Sequence, residues 1–572
     1  MFFNWLFLKH YAKKQRLARP VNRTSGHVHV RGTEPAAPDA SGIIGPSAPC
    51  PDDSVMTTAT LLAQAQAHAS TGQHDALLAT CQRILDDTHS QDVNALLDVA
   101  ALLLGSGHVS PAQACLQQAI RLAPQDYRAH VNLANLYREI GEHRASRQLY
   151  QQLVHVLPDH PLIRRNALVS LEYDPDASPA VRRTMAQLWG EWAQARVGGR
   201  QPRPPAPALN GRPLRVGYVS ADFCQHTVGL LVQDVLRAHN PARVSVFAYS
   251  AGGVSDWVSR NIAACSQWRD VAALDDAALA AQVRADGIDV LVDLSGHTAG
   301  SRLTAFALRP APVQASWLGY FATTGLSDID ALLLDDWHAP PEVAAQCIEP
   351  VWRLPRGKFC YQPAPWAPAT VAPPPCLSQG HITFGCFNNT SKLNPAVLAL
   401  WARLLHAIPH ARLLLKWRTL IDAGLRQRVV NTFAEHGIDP ARVSCRGASF
   451  HADLLHEYAD IDIALDPFPF TGGLTSCEAL WMGVPVLTWP GATPVSRQTW
   501  ALLAAIGLPE LAARDEHDYL RIAQQLASQP EHLNTLRHSL RARMQASPLM
   551  DPAGFARQLE DAWLALYGRV AG

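Results

Sequence analysis

From about residue 60 onward, apolar and small residues recur at helical spacing, and between residues 93 and 160 the whole pattern repeats. Val93–Asp126 and Tyr127–His160 align without gaps. Gly107 falls on Gly141, Leu116 on Tyr150, Ala119 on Leu153 and Pro124 on Pro158. A period of about 34 residues, with small residues where helices cross and a proline closing each unit, predicts stacked pairs of antiparallel helices. A degenerate earlier copy runs from Leu61 to about Asp87, and residues 161–197 read as further helices that cap or link the array.

The pattern changes after the proline-rich stretch Gly198–Pro205. Short β-rich runs then alternate with helical stretches: Leu214–Ser220, Val244–Tyr249, Val290–Leu294, Val313–Leu318 and Ala331–Leu334. A second proline-rich stretch, Gln362–Pro375, precedes another series: Ile382–Cys386, Arg412–Trp417, Val443–Arg446, Ile461–Leu465 and Val484–Trp489. Two series of β–α alternation predict two doubly wound parallel sheets with a cleft between them, where ligands bind beyond the carboxyl ends of the strands. The expected boundaries are a disordered leader over 1–56, a helical domain over 57–197 and a linker over 198–213. An N-terminal lobe over 214–361, an inter-lobe linker over 362–379 and a C-terminal lobe over 380–572 follow.

Composition narrows the function classes. Lys+Arg and Asp+Glu both number 49, so net charge supplies no footprint for nucleic acid or a membrane surface. The 11 cysteines form no CxxC pair and no zinc spacing, the usage of a reduced, cytoplasmic protein. The opening MFFNWLFLKHYAKK has an apolar run of only about seven residues, short for a secretory signal, and no stretch reaches the roughly 20 needed to span a bilayer. Met56 offers a second start.

Chemistry concentrates where an apolar strand ends near Asp466 and Gly472-Gly473 opens a helix. Glycines there let backbone N–H groups approach an anion, and the helix N-terminus adds positive partial charge. Thr475 and Ser476 bring hydroxyl donors, and Glu478, one turn on, is a candidate acceptor for ribose hydroxyls. The same residues would also serve as a capped strand-to-helix turn, with Glu478 completing the cap. Two Asp-x-Asp pairs, Asp328/Asp330 and Asp460/Asp462, lie at strand starts, the wrong edge for an active site, and read as solvated entry residues.

Leu465–Leu480 with Trp481-Met482-Gly483-Val484-Pro485-Val486 resembles the O-linked N-acetylglucosamine transferase family, glycosyltransferase family 41. So do Arg215–Phe223 with His226, Ala307–Tyr320, Phe387–Pro395, and Pro490-Gly491 followed by Ser496-Arg497. The helical array resembles the tetratricopeptide repeats that precede the catalytic lobes in this family, and the sequence looks like a bacterial member. The resemblance implies an α/β GT-B fold of two Rossmann-like lobes. It implies inverting, metal-independent transfer of GlcNAc from UDP-GlcNAc to Ser or Thr hydroxyls of a protein or peptide held by the repeat groove. No cofactor is expected beyond that donor.

Residue by residue, the resemblance assigns Lys392 to the leaving diphosphate and His226 to base or positioning duty. Asp222, Asp293 and His297 are further acid/base or acceptor-positioning candidates at strand ends. Gln314, Ser449, His451, Gly472, Gly473, Leu474, Thr475, Glu478 and Arg497 are the expected nucleotide-sugar contacts. Gly473 and Leu474 depart from the animal pattern of His and Thr, and Leu474 removes a hydroxyl that relatives direct at phosphate. Other donors in the same fold (GDP-fucose, as in plant Spindly-type enzymes, or UDP-glucose onto asparagine) and an inactive protein-binding scaffold are the alternatives.

Overall fold

The computed structural model describes residues 57–571. The expected leader and the second start at Met56 lie outside the described residues.

Four helix pairs come first: α1 (Thr58–Thr71) with α2 (His74–Asp87), α3 (Val93–Gly105) with α4 (Val109–Leu122), α5 (Tyr127–Glu139) with α6 (His143–Val156), and α7 (Pro161–Leu171) with α8 (Pro179–Ala195). The period is legible in the caps. Asp92 and Asp126, one repeat apart, each accept backbone N–H bonds at the start of α3 and α5. Gly107 and Gly141 close the turns inside their repeats at φ +90° and +80°, a region that excludes ordinary side chains.

Those two glycines also dock the array on the C-terminal lobe. A Cβ at Gly107 would lie 2.5 Å from the Arg418 carbonyl oxygen, and one at Gly141 would lie 3.0 Å from the Leu393 carbonyl carbon. Around them Arg418 donates to the Leu104 carbonyl at 2.7 Å and to Glu139 at 2.8 Å. Ser110 Oγ donates to Asp422 at 2.6 Å. The proline-rich linker then leads without helix or strand into the first lobe.

The first sheet contains β1 (Leu214–Ser220), β2 (Val244–Ser250), β3 (Gln267–Asp270), β4 (Val290–Asp293), β5 (Val313–Ser316), β6 (Ala331–Leu334) and β7 (Val351–Arg353). Their order is β3-β2-β1-β4-β5-β6-β7. The second contains β8 (Thr383–Cys386), β9 (Arg412–Lys416), β10 (Val443–Arg446), β11 (Ile463–Leu465) and β12 (Val486–Leu487), ordered β10-β9-β8-β11-β12. Every pairing is parallel. Strands β4, β5 and β6 are buried throughout; β6 reads as a continuous apolar run, whereas β4 closes on the buried Asp293 and β5 carries the buried Gln314 and Ser316.

Three expectations need correction. Strands β3 (Gln-Trp-Arg-Asp) and β7 (Val-Trp-Arg) are edge strands, half-exposed and too polar or short to announce themselves. The last helix, Pro552–Gly568, leaves the C-terminal lobe and packs on the first: Glu560 accepts from Asn240 N–H at 2.8 Å and Arg243 at 2.9 Å, and Trp563 donates to the Tyr218 hydroxyl at 3.2 Å. Of the two Asp-x-Asp pairs only Asp460 is solvated, half-exposed beside Arg446. Asp328 is buried and accepts from Gln194 at 2.7 Å, Asp330 pairs with Arg309 at 2.8 Å, and Asp462 accepts from the Cys376 and Thr383 backbones. Carboxylates at strand starts here hold neighbouring backbone in place.

Candidate active site

At the carboxyl end of the second sheet the backbone turns through two glycines into a helix. Helix Leu474–Trp481 opens at Gly473, which offers no side-chain cap, so the first-turn N–H groups keep their donors outward. Gly472 donates to Asp466 Oδ1 at 2.6 Å and turns the backbone into the helix. Its hydrogen is required, because a Cβ would meet the Thr475 hydroxyl at 3.0 Å and Asp466 at 3.1 Å.

Lys392 reaches this turn from the end of β8. Its ammonium donates to the Thr471 carbonyl at 2.9 Å and to Asn388 Oδ1 at 3.0 Å, and it lies 4.7 Å over the Phe470 ring. Thr475 Oγ1 donates to the same Asn388 oxygen at 2.9 Å, so one amide joins the lysine to the helix start. Burial pulls the ammonium down to about 8 while Asp466 opposes the shift. Asn389 caps the turn carrying Lys392, and Asn394 caps the helix after it while donating to the Phe468 carbonyl at 2.6 Å.

A second cluster lies beside the first. His451 Nδ1 accepts from the Trp366 indole at 3.1 Å, so in the neutral ring Nε2 carries the proton, which bonds Glu478 Oε1 at 2.8 Å. Glu478 is buried one turn into the helix, with its other oxygen outside that bond. Ser449 donates to Glu457 and accepts from Lys416 at 2.7 Å, fixing the loop before His451. Leu474 is half-buried at the first helical position and Thr475 half-buried beside it.

On the first lobe, His226 caps helix Thr227–Ala238, its Nδ1 accepting from Val228 N–H at 3.3 Å and standing 3.8 Å from the Asp222 carboxylate. Its loop is tied through Gln225 N–H to Asp256 at 2.6 Å, and Trp257 of the next helix meets Trp366 edge-on at 5.8 Å. The His226 loop is therefore linked by side chains to the His451–Glu478 pair. Asp293 is buried at the end of β4. It accepts from Ser295, Gly296 and Ser316, and burial still pushes its carboxyl up to about 6.

Three expected contacts are placed elsewhere. Gln314 stands at the start of β5, the opposite end from the cleft, donating at 3.0 Å to the Phe306 and Asp328 carbonyls. Arg497 donates to the Trp337 carbonyl at 2.6 Å and lies 4.6 Å over Trp500, a strut between the lobes. His297 is walled in by Trp189 and Tyr320, donates from Nε2 to the Thr324 carbonyl at 2.7 Å, and is driven down to about 3 by burial. It holds α8 against the first lobe and does not open on the cleft. Asn388, Phe470 and Trp366 were not singled out in the sequence. Asn388 was findable as the residue two beyond a strand's carboxyl end, whereas nothing local marks Trp366 in its proline-rich stretch. Among the described residues no group of three or more His, Cys, Asp or Glu is placed to hold a metal ion.

Two parallel-sheet lobes facing each other, with a glycine-opened helix and a half-buried lysine at the carboxyl end of the second, define a GT-B glycosyltransferase architecture. The chain belongs to glycosyl transferase family 41, whose model matches residues 202–362 and 375–559, and a tetratricopeptide-repeat model matches residues 103–171. A lysine-to-methionine mutant of the Thermobaculum terrenum O-GlcNAc transferase superposes with a TM-score of 0.81 at 35% identity, over 90% of this chain and 98% of that one. A rice (Oryza sativa subsp. japonica) protein described as a probable UDP-N-acetylglucosamine–peptide N-acetylglucosaminyltransferase SPINDLY is 35% identical over 74% of this chain and 46% of its own length. Its tomato (Solanum lycopersicum) counterpart is 38% identical over 63% of this chain and 39% of its own. The chain thus spans less than half the length of these curated relatives.

Proposed function

We propose that this protein transfers N-acetylglucosamine from UDP-N-acetylglucosamine to Ser or Thr hydroxyls of proteins, with inversion and without a metal. The observation that carries this reading is the junction of Lys392, Asn388 and Thr475 at the open start of helix Leu474–Trp481. In an inverting displacement the acceptor oxygen forms a bond to the anomeric carbon as the bond to the diphosphate oxygen breaks. The electron pair leaves on UDP, and the acceptor proton passes to a phosphate oxygen or to solvent. The barrier falls where the new negative charge is met by donors already in place. An ammonium and first-turn N–H groups supply them at Lys392 and Gly473–Thr475.

Ser449, His451 and Glu478 take the uridine end in this reading. Leu474 contributes shape without a hydroxyl, and Thr475 remains the side-chain donor. His226 positions the acceptor rather than taking its proton. With Nδ1 occupied by Val228 N–H, the neutral ring presents an N–H at Nε2, a donor. Gln314, Arg497 and His297 have no part in it. The names of the relatives support the donor, and the helix pairs support a protein acceptor lying in their concave surface. A cytoplasmic site of action agrees with ten cysteines standing free among the described residues.

Thermal melts with UDP, UDP-N-acetylglucosamine, GDP and GDP-fucose test the donor. Uridine ligands raise the melting temperature and guanosine ligands leave it unchanged. The opposite pattern sinks the assignment. With Lys392→Met, transfer to a Ser/Thr peptide library falls by about 100-fold or more. Transfer at the native rate would remove the role given to Lys392.

A further inference from the structure

The catalytic lysine is held from the helical array as well as from its own lobe. Thr390 Oγ1, two residues before it, donates to the Glu139 carbonyl at the end of α5 at 2.7 Å. Leu393, immediately after it, presents its carbonyl to Gly141. Phe470, the ring beneath the ammonium, is covered on another side by Tyr173 from the turn between α7 and α8. The two rings are stacked with centroids 4.6 Å apart and planes 21° apart. Behind Tyr173, the buried His143 ring of α6 lies nearly parallel at 6.3 Å, and the Arg138 guanidinium sits 5.9 Å from the phenol ring.

The chain of contact His143–Tyr173–Phe470–Lys392 therefore runs from the third repeat to the ammonium with no flexible side chain in it until the lysine. Aromatic rings have two torsions each and stack at fixed separations, so such a chain transmits position well. A lysine has four torsions and is a poor anchor alone.

We infer that Tyr173 is a positioning residue for the transfer reaction, setting the Lys392 ammonium through the Phe470 ring, so that the repeat array is a working part of the active site. The inference rests on the reading of Lys392 as the group that meets the departing diphosphate. It gives the array a second duty besides holding the acceptor: the ends of α5 to α8 determine where the cation stands. Distortion of the array when an acceptor binds is then felt at the diphosphate.

The test uses the full chain and UDP as probe, with affinity measured across pH. The groups facing Lys392 are Asp466 and Cys386, and those facing Tyr173 are Arg138, Glu139, Glu172 and His143. In the native protein UDP affinity declines on the alkaline side as the lysine loses its proton, and Lys392→Met lacks that limb. If the two profiles coincide, the reading of Lys392 itself has failed. Given the limb, Tyr173→Leu admits water to the ammonium, which moves the midpoint to higher pH. It also lowers kcat for transfer by about 10- to 100-fold while donor KM changes by less than about threefold. Phe470→Leu does the same, the double variant adds no more than about twofold, and Tyr173→Phe, which keeps the ring but not the hydroxyl that meets Ser391, recovers most of the kcat lost in Tyr173→Leu. A Tyr173→Leu protein with native midpoint and kcat overturns the inference. If that variant melts early, Phe470→Leu in the catalytic lobe carries the same test.

Discussion

Gly190 sits inside α8, between Trp189 and Trp192, where the array meets the first lobe. Replacing it by alanine sets two effects of opposite sign against each other. Alanine is favoured over glycine in a helix interior by about 1 kcal/mol, so on propensity alone Gly190→Ala stabilises α8. The added Cβ, however, would lie far inside contact distance of the Gly325 carbonyl oxygen, 2.6 Å from its carbon and 3.2 Å from Leu326 N. These are backbone atoms on both sides, so no rotamer change relieves the overlap. Gly325 cannot yield easily either. It sits at φ +80°, its N–H bonds the Thr323 hydroxyl at 3.2 Å, and a Cβ there would meet the Ala186 backbone at 2.5 Å. Overpacking costs roughly 1–3 kcal/mol, and against fixed backbone the upper part of that range, about 2–3, applies, so after the propensity gain the net effect is destabilisation by about 1–2 kcal/mol. Urea unfolding followed by tryptophan fluorescence reads the loss of global stability, to which the buried Trp189 and Trp192 contribute along with the chain's other tryptophans. Amide exchange across residues 179–195 should rise with the loss. An unchanged or raised unfolding midpoint would refute the close approach and the reasoning built on it.

Three further outcomes follow from contacts already described. Glu478→Gln keeps the shape beside His451 but removes the charge, and is expected to lower UDP affinity by roughly tenfold, about 1.4 kcal/mol, without moving the apo melting temperature. A native titration curve for UDP would contradict that. Arg418→Ala abandons the Leu104 carbonyl and leaves the buried Glu139 carboxylate unpaired, at a cost of about 2–4 kcal/mol. Amide exchange should quicken over α3 to α6 while the sheets stay protected. His297, driven down to about 3, contributes stability that is whole above its ordinary value near 6.5 and is lost as pH falls toward 3. His297→Leu should therefore be less stable at neutral pH by about 1–3 kcal/mol, because the Thr324 carbonyl loses its donor, but should show a shallower acid slope. Asp293, pushed up to about 6, titrates in the same window with the opposite sign in both proteins, so equal slopes would refute the role given to His297.

The helical period and the central strands were plain in the sequence because each rests on local pattern. Asp92 and Asp126 cap successive repeats, and β4 and β6 are built on runs of Val and Leu. What escaped depends on contacts distant in sequence. Strand β3 is polar because it lies at a sheet edge, and its pairing with β2 is the only thing that makes it a strand. Trp366 matters through His451, 85 residues away. Among site residues, Gly472, Glu478 and Lys392 came together because strand ends and helix starts point one way in a parallel sheet. Gln314 did not, since it opens its strand instead of closing it. His297 and Arg497 had the right chemistry for a cleft, but a tryptophan and a neighbouring carbonyl claimed them first.

The return of helix Pro552–Gly568 to the first lobe means that the chain crosses between the lobes twice, once through residues 362–379 and once before this helix. Two lobes joined at one point can swivel about any axis through it. A second tether removes most of those rotations and leaves the swing about the line joining the two crossings. On the proposed reading, the cleft that an acceptor chain must pass is free to open only about that line, while sideways shear of His226 relative to Lys392 is resisted by covalent connection.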